Sequence, residues 1–171
     1  MLTQTLSTVI TQALEINNLF FLELKKELKK HRNICKYAKI SKNKLSFSDP
    51  LCSRYNLCNI SKIDYSSDYI SMSIYDDETL LSSIGPSDAI IIPARIFQLD
   101  LSGQYIYIEV EWFNMSQDEL LIQIKQTVSG YISRMLDDIV AVENREIERQ
   151  SLEEERNYEL FLELKEKFEG R

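Results

Sequence analysis

Histidine is nearly absent from this chain: His31 stands alone among 171 residues. Catalysis of the Ser-His-Asp or Cys-His kind would have to run through that one imidazole. It lies in "KKHRN", with cations on both sides. Glycine is almost as scarce. The four glycines, Gly85, Gly103, Gly130 and Gly170, stand far apart, so neither a P-loop nor a G-x-G-x-x-G turn can be assembled. No apolar run approaches the roughly 18 residues of a transmembrane helix; "AIII" at 89–92 is the densest. The opening "MLTQTLSTVI" has no basic region and no continuous apolar stretch, so a secretory signal is not expected. Three cysteines, an odd number, argue against a disulfide framework and for a reducing compartment. A cytoplasmic protein without a membrane partner is the expectation.

What is present suits an ordinary soluble domain. Apolar residues make up 44% and charged residues 27%, enough of the former to build a core. The net charge of −7 opposes general attraction to nucleic acid or anionic lipid.

Residues 3–31 carry apolar side chains at 3–4 spacing and close on "KKELKKHRN", with cations where the helix dipole favours them. Short strands follow, and "YISMSIY" at 69–75 alternates cleanly. "DDETLLSSIG" suggests one short helix. In "ARIFQLDLSGQYIYIEVEWF", Phe97, Leu99 and Leu101 alternate before Ser102-Gly103, and Ile106, Ile108, Val110 and Trp112 after it: a β-hairpin. "SQDE" at 116–119 is a capping box that starts a second long helix. Its apolar row runs from Leu121 and Ile124 to Val142. Beyond it, "ENREIERQSLEEERN" is nearly polar all round, before Tyr158, Phe161, Leu164 and Phe168 restore an apolar face. The expected organisation is a 1–142 α+β core, with an antiparallel sheet against N- and C-terminal helices. A projecting 143–171 charged helical arm completes it.

Three sets of residues invite a functional reading. His31, Cys35, Cys52 and Cys58 hold every soft ligand in the chain and could form a structural zinc site of two pairs. The C-x5-C spacing matches no standard finger, and buried thiols behaving as small hydrophobes are the plainer account. No other cofactor is expected. Lys25, Lys26, Lys29, Lys30 and Arg32 begin a basic stretch that could meet phosphates, stiffened by that zinc. Asp88, Glu109 and Glu111 lie in or beside strands, as two-metal chemistry requires. However, Glu109 and Glu111 fall on the solvent face of the hairpin, which makes them surface carboxylates. Last, "FLELK" occurs at 21–25 and again at 161–165, so both long helices offer similar faces to one another or to one partner.

The hairpin that leads straight into an amphipathic helix, "ARIFQLDLSGQYIYIEVEWFNMSQDELLIQIKQTVSGYI", resembles the type III secretion chaperones, as does the order of elements around it. The resemblance implies a small, acidic, non-enzymatic homodimer that holds extended segments of another protein. It carries no residue-level motif, and residues 143–171 overshoot its pattern. The function expected is therefore a non-catalytic protein-binding module, a chaperone-like adaptor or inhibitor, that self-associates. Tyr158, Phe161, Leu164 and Phe168 are the expected association residues. Nucleic-acid binding through residues 25–44 is the alternative. A structural zinc would appear as about one equivalent per chain, lost to a chelator together with thermal stability. The expected result is an unchanged Tm in chelator, and a large drop would restore the zinc reading.

Overall fold

A computed structural model of the chain describes residues 2–51, 55–60, 63–64, 68–76 and 95–170. Its class is α+β. Helix α1 (Leu2–Leu28) is followed by the single turn α2 (Arg32–Cys35). Strands β1 (Ala38–Ile40), β2 (Lys44–Phe47) and β3 (Leu57–Cys58) form one antiparallel sheet in that order. Strands β4 (Ile70–Asp76), β5 (Arg95–Leu101) and β6 (Gln104–Glu109) form a second. A 3-10 helix, Val110–Asn114, leads into helix α3, Gln117–Glu169, which closes the described chain. The strands thus divide between two sheets, where the sequence suggested one. The short helix expected near "DDETLLSSIG" falls on residues outside those described, as does Asp88. No helix among the described residues is long and apolar enough to cross a membrane.

The hairpin is built as its alternation requires. Phe97, Leu99 and Leu101 pair with Ile108, Ile106 and Gln104, and all five apolar side chains are buried. Ser102 and Gly103 both take positive φ, 54° and 86°, the left-handed pair that matches a two-residue turn to the twist of its strands. Asp100 Oδ1 accepts the Gly103 N–H at 2.9 Å, and the Ser102 N–H donates to Tyr69 O at 2.9 Å. The second strand stops at Glu109 rather than reaching Trp112. The 3-10 turn redirects the chain there and still buries Trp112, tilted against Phe20 at 6.4 Å.

Two devices fasten the layers. One is an aromatic relay of rings about 6 Å apart: Phe47 to Tyr55, Tyr55 to Tyr131, Tyr131 to Phe20. It joins the first sheet to α3 and α1 through edge-on contacts of favourable quadrupole geometry. At its centre Tyr55 donates its hydroxyl to Asp138 Oδ2 at 2.6 Å. The other device is Asn17, the one buried polar residue among those described. Its Nδ2 donates to Cys58 O at 3.0 Å, while Asn59 Nδ2 donates to Asn18 Oδ1 at 2.8 Å. These bonds pin α1 to β3, the shortest strand.

The capping box forms as the sequence expects. Ser116 Oγ accepts from the Glu119 N–H, and the Ser116 N–H donates to Glu119 Oε2 at 2.9 Å. Donation from the Ser116 hydroxyl, then from its backbone, holds the Glu119 carboxyl below its ordinary 4.5. Because the folded value is the lower one, the cap is complete above 4.5 and weakens as pH falls through the lowered value. Asn17→Ala is expected to remove about 1 kcal/mol of stability by taking away the donor to the half-buried Cys58 carbonyl. The signature is a lower urea midpoint at unchanged slope. A change within about 0.5 kcal/mol would show that the clamp contributes nothing.

Candidate interaction surface

Helix α3 is 53 residues long, about 80 Å at 1.5 Å per residue. Its first half is a core element. Leu120, Ile124, Val128, Ile132, Met135 and Ile139 are buried in one row, on a helix that packs against α1 and α2. From Glu143 to Gly170 every residue is exposed. Over residues 145–153 the arm is held by pairing along its own surface. Arg149 Nη2 meets Glu146 Oε1 at 2.7 Å, and Arg149 Nη1 meets Glu153 Oε2 at 3.4 Å. Hydrogen bonds from Arg149, then from Gln150, keep the Glu146 carboxyl below its ordinary value. Each such exposed pair contributes little, because solvent screens it.

The arm then becomes apolar while still in solvent. Tyr158, Phe161, Leu164 and Phe168 lie at 3–4 spacing, with Leu160 and Leu162 beside them. Exposure reaches 59% at Phe161 and 76% at Phe168. Isolated apolar side chains on a surface are ordinary, but six large ones within eleven residues form a patch of the kind that marks an interface. The repeated "FLELK" makes the contrast direct. In α1 its Phe21 and Leu24 are completely buried, whereas in the arm the matching Phe161 and Leu164 have nothing over them among the described residues.

The first lysines of the basic stretch are engaged with their own chain. Lys25 Nζ donates to Ser41 O at 3.0 Å and lies 5.8 Å from the centre of the Phe21 ring. Lys26 pairs with Glu23, and Lys30 with Glu27. Lys29 and Arg32 are exposed. The three described soft ligands, His31, Cys35 and Cys58, do not gather. His31 and Cys35 flank α2, where the Cys35 thiol donates to Leu28 O at 3.1 Å and so helps finish α1. Cys58 sits in β3 opposite Lys44, and Cys52 lies outside the described residues. Among the described residues no three His, Cys, Asp or Glu side chains are grouped to hold a metal. Glu109 is half-buried at the end of β6, and Glu111 is exposed on the 3-10 turn.

Sequence reasoning missed a cleft of about 450 Å3 between the second half of α1 and the first half of α3. Ile132 and Leu136 line it, with Ser129 and Ser133 beside them and Lys26 and Lys125 at its rim. It also missed that Tyr105 and Tyr107 stack, 6.3 Å apart, on the outer face of the second sheet. The cleft depends on how elements meet and leaves no periodic trace, whereas the tyrosines are i, i+2 neighbours on the outer face of β6, which the alternation of that strand implies. No protein-family model matches the chain, and no curated protein or solved structure is similar enough to it to count as a match.

The two copies of "FLELK" are expected to answer mutation differently. Phe21→Ala should cost about 3–5 kcal/mol, the usual result of emptying a packed aromatic site. Phe161→Ala should leave the urea midpoint of the monomer within about 0.5 kcal/mol and weaken association instead. Equal destabilisation by both, measured at monomeric concentration, would mean that the arm folds back onto its own core.

Proposed function

We propose that this chain is a non-catalytic protein-binding module, a chaperone-like adaptor or inhibitor that works in the cytoplasm as a homodimer. The observation that carries the reading is the arm. Some 28 residues of helix with an apolar end cost conformational entropy that exposed ion pairs cannot offset. A partner surface supplies the missing burial, and a second copy of the chain is the partner favoured. Charge supports that choice. Residues 143–171 carry ten Glu and six Lys or Arg, a balance of −4, while residues 19–44 carry nine Lys or Arg and two Glu, a balance of +7. Opposite charge on the two ends of one chain steers two copies together and fixes their orientation. The scarcity of histidine and glycine removes much of common enzymology as a competitor to a binding role.

Nucleic-acid binding is the weaker alternative, because three of the four lysines it needs already have partners within the chain. Phosphate contacts weaken steeply with salt, so a DNA or RNA column at low ionic strength separates the two readings. The expected result is no retention. Retention that disappears when Lys25, Lys26, Lys29 and Lys30 become Gln would favour nucleic acid.

Truncation after Ala141 is expected to leave a folded core with reduced self-association and lost partner capture. Sedimentation should report a smaller species than the full chain at the same concentration. The same oligomeric state for both chains, with capture unaffected, would overturn the reading.

A further inference from the structure

Helix α3 carries a second row of side chains beside the row that faces the core, meeting the core at Leu136. Ile122, Ser129, Leu136, Glu143, Gln150, Asn157 and Leu164 repeat every seven residues; so do Gln126, Ser133, Val140, Ile147, Glu154, Phe161 and Phe168. Offset by four and three, these two sets trace one seam along the whole helix, with the spacing of a coiled coil. Ile122, Val140, Ile147, Phe161 and Phe168 are all exposed on it. The seam is unequal in bulk. It is small at Ser129 and Ser133, where it borders the cleft between α1 and α3, and large at Phe161, Leu164 and Phe168. A parallel pair would stack bulk on bulk at one end and leave a void at the other. An antiparallel pair sets bulk on space.

Length agrees with this. Burial against the core ends beside Glu143, and Glu143 is the midpoint of α3, with 26 residues on each side (143 − 117 and 169 − 143). The arm of one copy therefore spans the buried half of the other. We propose that two copies associate antiparallel along α3, each laying Phe161 over Ser129 and into the α1–α3 cleft of its mate. This rests on the reading of the arm as the association element and adds the surface it docks on.

In that register Phe168 meets Ile122, Leu164 meets Gln126, and Asn157 meets Ser133 as a polar pair. Sliding one heptad toward the middle would oppose Glu154 and Glu143, and sliding the other way would carry Phe168 past the start of α3 at Gln117. Charge does not decide the register: Lys26 and Lys125 are balanced at the cleft by Glu23 and Glu27, so shape and spacing carry the proposal. Gly130 adjoins the same stretch. A Cβ built there meets nothing within 4 Å, so its own chain does not require glycine at this mid-helix position.

Cross-linking tests the geometry. In a chain with Cys35, Cys52 and Cys58 replaced by Ser, which keeps a donor for Leu28 O, Ser133→Cys and Asn157→Cys are introduced singly and together. Within one straight helix these positions are 24 residues, about 36 Å, apart (157 − 133), so a bond between them must join two chains. Oxidation should give a covalent dimer from the double variant and from neither single one. Cross-linking of Asn157→Cys alone would show a parallel pair. A dimer by sedimentation with no cross-link in any variant would overturn the docking proposed while leaving self-association standing. A monomer at every concentration would overturn both. Should the cysteine-free chain fail to fold, Ser129→Trp in the parent chain tests the same contact. That position is exposed, so the monomer should keep its circular dichroism while association weakens at least about tenfold, some 1.4 kcal/mol. An unchanged dissociation constant would overturn the proposal.

Discussion

An α-helix persists in water only where one face is withdrawn from solvent or where neighbouring side chains supply enough pairing to replace that burial. On α3 the first condition holds from Leu120 to Ile139, and the second is met weakly around Arg149. Toward Phe168 neither holds within a single chain. The rest of the molecule is organised around the half that is satisfied. Helix α1 packs beside it in the same sense, with Gln12 bonded to Phe113 O near the start of α3 and Phe20 against Tyr131 further along. The aromatic relay and the Asn17 clamp then hang the first sheet from that pair of helices. The 3-10 turn does the same for the second sheet, through Phe97 and Phe113 at 5.1 Å.

The cleft follows from the same arrangement. Helix α1 ends at Leu28, and the chain turns through His31 into α2, while α3 continues. A groove with an apolar floor at Ile132 and Leu136 and edges of mixed charge is left where the two helices part. Under the proposed association, this groove and the exposed end of the arm are two halves of one interface, separated by the length of the helix. Neither can find the other in its own chain, because a straight helix does not fold back. Symmetry between two copies satisfies both together.

Much of the fold was legible because it is local. The Ser116–Glu119 box, the Ser102-Gly103 turn and the alternation of Phe97, Leu99 and Leu101 each depend on a few neighbouring residues, and each stands where the sequence put it. Trp112 was misread as strand because its apolar period continues through a turn that only tertiary packing reveals. The division of the strands into two sheets, the Asn17 bond to Cys58 O and the cleft join residues distant in the chain, and no spacing rule reaches them. The second row on α3 was hidden for another reason. Its small members, Ser129 and Ser133, do not register in a search for apolar period, and the row facing the core, from Leu120 to Ile139, dominates the same stretch. The cysteines lie close together in sequence between residues 35 and 58; of the two described, Cys35 serves as a donor at a helix end and Cys58 offers its backbone carbonyl to Asn17.

Amide hydrogen exchange along α3, followed as a function of protein concentration, tests most directly whether the arm is held by a second chain. The account predicts strong, concentration-independent protection over residues 120–139. Over residues 154–168 it predicts protection that grows with concentration and vanishes on dilution to monomer. Unprotected exchange of the arm at every concentration would contradict it, as would protection that dilution does not alter.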